Sequence, residues 1–237
     1  KGALATATTC NVFRLLKACG LPVAFEEQNS ATSLIAPPCT MLPYEVVVRR
    51  EAHGSALKRS PHFSKGQLFP KLLVEFYLKT KDKDWKGKKL VADDPFMEYE
   101  DGAAQIKLFD PAKPILGSQP FLVLDTADVF SQPNEYKFFP QMRAIARQTF
   151  LVLERAWALE GGRLVDFKVE FGFDAASVGV GVAVRVELHG LGEQHRALAV
   201  DVDAAALVHE HRTDVLGSDV CSDDARDAGR HLPLGPR

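Results

Sequence analysis

The stretch from Leu164 to Gly172 carries a strictly alternating hydrophobic pattern. From Val165 onward, the alternating apolar residues are Val165, Phe167, Val169 and Phe171, and the charged residues are Asp166, Lys168 and Glu170. Because a strand sends successive side chains to opposite faces of a sheet, the pattern predicts a β-strand with one core face. The charged face is then either a solvated ladder of opposite charges or a functional site.

Hydrophobic periodicity elsewhere predicts helices and strands in a mixed order. Helical spacing covers residues 4–19 and, most clearly, 139–159. Strand-like runs cover 23–27, 33–36, 44–50, 72–79 and 178–188, with short apolar runs at 106–109 and 121–124. Since the elements lack a βαβ rhythm, the pattern predicts an α+β fold with an antiparallel sheet and packed helices.

Composition narrows the class of protein. The 237 residues are 46% hydrophobic and 25% charged, with a net charge of −2, so nothing favours nucleic acid as the main partner. No apolar run approaches the roughly 20 residues of a membrane helix. The four cysteines are widely spaced and form no CxxC, which favours reduced thiols and a cytoplasmic location over a disulfide framework or a zinc site.

A second stretch, LPYEVVVRREAHGS, combines groups that suit an anion. Arg49 and Arg50 lie at the end of a predicted strand, and Gly54-Ser55 follows as a turn, with Lys58-Arg59 close behind. A guanidinium, a hydroxyl and turn amides together can bind a phosphate or a carboxylate. The alternative is that these are solvated loop charges, and the residues alone leave both interpretations open.

LVDFKVEFG and LPYEVVVRREAHGS each resemble a signature of the SAICAR synthetase family, and they occur in the family's order. The similarity runs from about Lys1 to Asp174. It implies a two-lobed α+β fold and an ATP-dependent ligase of purine biosynthesis, which joins CAIR to L-aspartate and gives SAICAR, ADP and phosphate. The implied cofactors are ATP and Mg2+, and the implied partners are these small molecules. A homo-oligomer and a fused carboxylase domain, as in the animal bifunctional enzymes, both stay open.

The resemblance also implies roles for individual residues. The catalytic residues are Asp166, as a positioning or base residue, and Lys168. The substrate-binding residues are Arg49, Ser55, Lys168 and Asp94. Asp110, which also precedes a proline, is a competing position for Asp94 because this linker differs in length among relatives. The ATP-binding residues are Met41, Glu45, Lys79 and Glu170, and Glu170 is also the implied metal ligand.

The resemblance further divides the chain. Residues 1–79 would be the remainder of an ATP-binding N-terminal lobe with the substrate-binding Arg/Gly-Ser turn, and 80–137 an elaborated insertion. Residues 138–190 would be the C-terminal lobe helix and signature strand, and 191–237 a divergent tail expected to be disordered.

Two departures from the family qualify the expected activity. Family members begin with a glycine- and lysine-containing hairpin over the ATP phosphates, which the residues before Leu4 do not supply. After Asp174, the expected acidic residue and Arg-Leu-Trp are missing, the matching positions 183–185 read Ala-Val-Arg, and Glu187 is the nearest acid. The alternative function is therefore a catalytically impaired or non-catalytic nucleotide-binding relative or fragment of the family.

Overall fold

In the computed structural model, the described residues are 2–80, 84–85, 87–127, 135–174 and 185–190. They form an α+β fold in which helices pack on one face of an antiparallel sheet. The expectation of a disordered tail at 191–237 concerns residues outside these ranges, as does the departure at 183–184.

The helices and strands follow the order of the chain. The helices are α1 (Gly2–Ala18), α2 (Ser55–Arg59) and α3 (Phe139–Leu159), and a 3-10 turn at Glu135–Phe138 precedes α3. The strands are β1 (Glu27–Ser30), β2 (Ser33–Ile35), β3 (Cys39–Glu51), β4 (Leu68–Leu78), β5 (Asp84–Trp85), β6 (Lys88–Lys89), β7 (Phe96–Glu98), β8 (Gln105–Phe109), β9 (Leu122–Asp125), β10 (Leu164–Asp174) and β11 (Arg185–Gly190).

The main sheet contains seven of these strands in the order β11-β10-β3-β4-β7-β8-β9, each antiparallel to its neighbour. β1 with β2 and β5 with β6 form separate two-stranded pairs. The sheet therefore places β10, the strand with the strict alternation, directly beside β3, the strand that leads to the Gly54-Ser55 turn.

The core lies between one face of this sheet and helices α1 and α3. Phe167 and Val169 of β10 are fully buried in it. The Phe167 ring lies 5.7 Å from the ring of Phe150 on α3. The apolar face predicted for this strand is thus confirmed at these positions, and the period of two sends the charged residues to the opposite face.

The register across three strands fixes which residues meet on that opposite face. Asp166 of β10 pairs with Arg49 of β3, and Glu170 pairs with Glu45. On the other side of β3, Val47 pairs with Glu75 of β4. Charged residues from three strands therefore come together on one surface, which we call the polar face.

The observed strands differ from the predicted ones in several places. The strand predicted at 23–27 begins only at Glu27. The apolar residues before it pack under α1, since Phe25 is buried with its ring 5.7 Å from that of Phe13. Residues 80–137, which the resemblance implies to be an elaborated insertion, contain β7, β8 and β9, and these strands extend the main sheet from β4. Strands this short carry too few alternating residues to show a clear period.

Candidate active site on the polar face

Arg49 is the centre of a buried ionic network on the polar face. It is 4% exposed, and its three guanidinium nitrogens reach three different acceptors. Nε donates to Glu75 Oε2 at 2.7 Å, Nη1 donates to Asp166, and Nη2 donates to Ser55 Oγ at 3.1 Å. Burial acts to lower the pKa of Arg49, but the charges of Glu75 and Asp166 outweigh it and the pKa is raised. Arg49 is therefore a charged link between β4, β10 and the start of α2.

Glu75 joins a second arginine to this network. Its Oε1 accepts a hydrogen bond from Arg59 Nη2 at 2.5 Å, and its Oε2 also accepts one from Tyr77 Oη at 3.2 Å. Arg59 is 1% exposed, and its guanidinium carbon lies 5.2 Å from the centre of the Tyr77 ring and 5.9 Å from that of Phe96. The charge of Glu75 and the aromatic contacts offset part of the cost of burying this guanidinium. Its Nε and Nη1 are buried without a hydrogen-bond partner among the described residues.

The turn at Gly54-Ser55 presents a hydroxyl beside the network. Gly54 has a φ of 55°, in the left-handed region that favours glycine, and immediately precedes α2. Ser55 is exposed and begins α2, and its Oγ accepts from Arg49. Since that bond uses the oxygen as an acceptor, the hydroxyl hydrogen can still be donated to a ligand.

Lys79 and Lys168 form a second charged group on the same face. The Lys168 ammonium lies 2.9 Å from Glu45 Oε1, and the Lys79 ammonium donates to Glu170. Burial acts to lower the pKa of Lys79, but the hydrogen bond to Glu170 and the nearby carboxylates raise it. The side chains of Lys79 and Lys168 are 37% and 35% exposed, so both cations can meet an anion from solvent.

Asp94 lies at the edge of this second group, where it pairs with Thr80. Its carboxylate accepts a hydrogen bond from the Thr80 backbone N–H at 2.9 Å, and its own N–H donates to Thr80 Oγ1 at 3.0 Å. Asp94 has a φ of 42°, which is rare for a residue with a side chain, and such conformations cluster at functional sites. This reciprocal pair holds Asp94 beside the end of β4, next to Lys79.

The structure brings the predicted site residues into two neighbouring groups. Arg49, Ser55 and Asp166 form the first; Glu45, Lys79, Glu170 and Lys168 form the second, with Asp94 beside it. Met41 is exposed near the start of β3, opposite Gly172 in register. Asp110 instead pairs with Lys113 in a loop whose Ile115 N–H donates to the Arg59 carbonyl, so the competing position lies toward the first group.

The sequence assigned no functional role to Glu75 or Tyr77, which lie in the predicted strand 72–79. It placed Arg59 in the candidate anion-binding cluster, with a solvated loop charge as the alternative, whereas the structure buries Arg59 against Glu75. Glu75 interrupts the apolar run of β4, so a lone acid in a predicted buried strand is the signal that could have found it. Its partners could not be read from that signal, because they lie on other elements.

The carboxylates of the second group fit a magnesium ion only together with a nucleotide. Within the described residues, no three carboxylate, imidazole or thiolate side chains gather as a protein-only metal centre. Mg2+ is, however, commonly held by one or two carboxylates plus substrate phosphates and waters. Glu45 and Glu170, opposite each other in register, provide two such carboxylates.

Comparison with known proteins identifies the family. Residues 1–113 and 118–180 match the SAICAR synthetase family. The chain belongs to this family. The match includes both groups of the polar face, since their residues all lie between positions 41 and 170.

Individual relatives show the same likeness. The chain is 35% identical over 172 residues to a bifunctional purine synthesis protein of Dictyostelium discoideum, covering 73% of this chain and 14% of that protein. It is 32% identical over 176 residues to the phosphoribosylaminoimidazole-succinocarboxamide synthase of Roseiflexus castenholzii, covering 74% of this chain and 57% of the synthase. The chain thus spans little more than half of the synthase and a small part of the bifunctional protein.

A solved structure of a SAICAR synthetase in complex with ADP has the same fold. Its TM-score is 0.56 at 24% sequence identity, and the alignment covers 92% of this chain and 81% of that chain. The fold of the SAICAR synthetases, α+β with an antiparallel sheet, is therefore the fold of this protein.

Two further observations concern membrane-spanning helices and the state of the cysteines. Among the described residues, no helix combines the length and the apolarity that a membrane crossing requires. In the same part of the chain, Cys10, Cys19 and Cys39 are thiols and not disulfides. Cys221 lies outside the described residues.

Proposed function

We propose that this protein is an ATP-dependent ligase that joins the carboxylate of CAIR to the amino group of L-aspartate, giving SAICAR, ADP and phosphate. The observation that carries the proposal is the pairing of the two signature strands. β3 and β10 lie side by side in a register that puts Asp166 opposite Arg49 and Glu170 opposite Glu45. Family membership supports the same reaction.

The chemistry needs a surface that holds several anions at once. In the first step, a carboxylate oxygen of CAIR attacks the γ-phosphorus of ATP, the bond to the β–γ bridging oxygen breaks, and ADP leaves. In the second step, the aspartate nitrogen attacks the acyl carbon and loses a proton, and the bond between that carbon and the phosphate oxygen breaks. Both steps gather negative charge, which exposed cations such as Lys79 and Lys168 can offset.

The first group is our proposed CAIR site. Ser55 would donate its hydroxyl to a phosphate or carboxylate oxygen of CAIR, and Lys168 would approach from the adjacent strand. Arg49, engaged with Glu75, would orient Ser55 and Asp166, and its remaining N–H groups would face the ligand. Asp166 would position the aspartate amine or take its proton.

The second group is our proposed nucleotide site. Lys79 would contact the nucleotide phosphates, Met41 would pack against the adenine, and Asp94 would hold the amino acid substrate near Lys79. Glu170, with Glu45, would hold magnesium; when bound, the ion supplies charge neutralisation on the transferred phosphoryl group. On substrate binding, Lys79 and Lys168 would each exchange their present carboxylate partner for a substrate anion.

The test is the production of SAICAR and ADP from ATP, CAIR and L-aspartate, with each substrate omitted in turn. We expect SAICAR only when all three are present, and a loss of roughly 10²–10³ in kcat for Asp166→Asn. Glu154→Gln, which disturbs a half-buried ion pair with Arg50 away from the polar face, is the matched control. ADP binding without turnover would instead identify a non-catalytic nucleotide-binding relative.

We also propose a cytoplasmic location, supported by the thiol state of the described cysteines. A relative of Rattus norvegicus that is named as a bifunctional phosphoribosylaminoimidazole carboxylase and succinocarboxamide synthetase supports the further proposal that a carboxylase accompanies this domain. A homo-oligomer stays a prediction that light scattering of the purified protein can check.

A further inference from the structure

Glu75 is a buried carboxylate that contacts both arginines of the polar face. It is 7% exposed, with one oxygen 2.7 Å from Arg49 Nε and the other 2.5 Å from Arg59 Nη2. Tyr77 donates to the first of these oxygens at 3.2 Å. A carboxylate held by three donors from two strands and a helix has little freedom to move.

The Arg49 contact sets the direction of the guanidinium. Because the guanidinium is planar and rigid, holding Nε against Glu75 determines where both Nη atoms point. One of them meets Asp166 and the other meets Ser55 Oγ. The position of Glu75 is thereby transmitted to two residues of the proposed CAIR site that Glu75 does not itself touch.

The Arg59 contact fixes the other end of the same short helix. Ser55 is the first residue of α2 and Arg59 is the last, and each is joined to Glu75, Ser55 through Arg49 and Arg59 directly. The Arg59 backbone carbonyl also accepts from Ile115. Glu75 therefore anchors α2 against β4 at both ends.

The four charges of this network balance. Two arginines and two carboxylates, Arg49, Arg59, Glu75 and Asp166, are all at least nine-tenths buried. Removing one partner of such a set leaves an uncompensated buried charge, which is far costlier than removing a matched pair. Loss of any one of these four charges would therefore disturb both the positions of the site residues and the balance of buried charge.

We propose that Glu75 is a positioning residue that fixes Ser55 and Asp166 relative to each other through Arg49, and so sets the rate of ligation. This inference rests on the proposed function, since the geometry in question is that of the CAIR site. It goes beyond that function by assigning a role to a buried side chain that would contact none of the three substrates.

Steady-state kinetics of Glu75→Gln provide the test. Gln keeps the shape and one acceptor but removes the charge that binds both arginines. We expect kcat to fall on the order of tenfold to 10²-fold, since small misplacements of reacting groups cost this much. The KM for ATP should change by less than about twofold, because that site is formed by the second group. Glu154→Gln, which also breaks an Arg–Glu pair, should leave both parameters unchanged.

A double variant separates positioning from stability. Arg59→Gln combined with Glu75→Gln removes one charge of each sign, so the buried charges balance again and the folded state should recover much of its melting temperature. If Glu75 positions Arg49, kcat stays low in the double variant even so. Recovery of kcat together with the melting temperature, or an unchanged kcat in Glu75→Gln, would overturn the proposal. The double variant also carries the test if Glu75→Gln alone does not fold.

Failure of the proposed function would look different. If the wild-type protein formed no SAICAR, the ligase assignment would be wrong. The positioning role of Glu75 would then be tested by a crystal structure of the double variant. The proposal expects the Arg49–Ser55 hydrogen bond, 3.1 Å in the wild type, to be lost. Its retention, with Asp166 still bound to Arg49, would overturn the positioning role independently of activity.

Discussion

At the scale of single residues, Arg49 shows how burial changes the meaning of a motif. The sequence suggested a guanidinium at a strand end that binds an anion from solvent. In the structure its nitrogens already reach Glu75, Asp166 and Ser55. Direct contact between Arg49 and CAIR stays a prediction, and any such contact is made by a side chain that protein acceptors have already oriented.

Arg49→Lys tests this residue. The three N–H groups of a lysine ammonium share one nitrogen, so they cannot reach the three acceptors that three separate nitrogens of Arg49 contact. Each buried acceptor left unpaired costs about 1–3 kcal/mol. We therefore expect lower stability in urea unfolding and weaker CAIR binding by calorimetry. Arg50→Lys is the matched control, since Arg50 makes a partly exposed two-bond ion pair with Glu154. This variant should lose less stability and less CAIR affinity. Equal CAIR affinity of wild type and Arg49→Ala would refute a role of Arg49 in substrate binding.

Tyr77 gives a prediction of pH dependence. Burial, and then the charge of Glu75, raise its pKa above the ordinary value near 10. The folded state keeps the phenol protonated where the unfolded state releases the proton. This contribution to stability is therefore complete below about pH 10 and is lost progressively as the pH rises toward the raised pKa of the folded state. Urea unfolding between pH 9 and 11 should show the free energy of unfolding fall in the wild type and fall less steeply in Tyr77→Phe. Identical slopes would contradict the assignment.

At the scale of elements, β10 carries the division between core and site. One strand supplies Phe167 to the core and Asp166 and Lys168 to the polar face. Any slip of its register by one residue would exchange the two sets, so packing of the apolar side holds the charged side in place.

Phe167→Ala tests that coupling. The ring is fully buried against Phe150, so we expect a loss of roughly 3–5 kcal/mol in the free energy of unfolding. Leu151→Ala on α3, which is 42% exposed, should change stability far less. Chemical denaturation of both variants provides the comparison. A small loss in Phe167→Ala would mean that the ring is not packed as described.

At the scale of the whole molecule, the polar face joins two groups with different proposed ligands. The first connects β3, β4, β10 and α2 through Arg49 and Glu75. The second connects β3, β10 and the end of β4 through Lys79 and Lys168. A nucleotide and CAIR bound to these groups would lie on one continuous surface, as transfer between them requires.

Ligand-linked stability can test the second group. ADP with magnesium should raise the melting temperature of the wild type, and a ligand at 100 times its Kd adds about 2.7 kcal/mol. Lys79→Met should lose much of this gain. Lys107→Met, which removes an exposed lysine paired with Glu98, is the matched control and should keep it. Full stabilisation of Lys79→Met by ADP would show that the nucleotide binds elsewhere.

Local periodicity accounts for the parts of the fold that were predictable. The alternation of β10 and the helical spacing of α3 depend on consecutive residues, so both elements could be derived from the chain alone. The two signatures likewise are continuous stretches of sequence, so the family and most of the candidate residues could be recognised without knowledge of the fold.

Long-range pairing decided the rest. Glu75 meets Arg49 across 26 residues and Arg59 across 16, and both contacts depend on the register of β4 beside β3 and on the path of α2. No local pattern encodes a register between distant strands, because it is set by the packing of their apolar faces. For the same reason β7, β8 and β9 were recognisable as part of the main sheet only once folded, and Asp94 reached Lys79 only through a loop closed by Thr80.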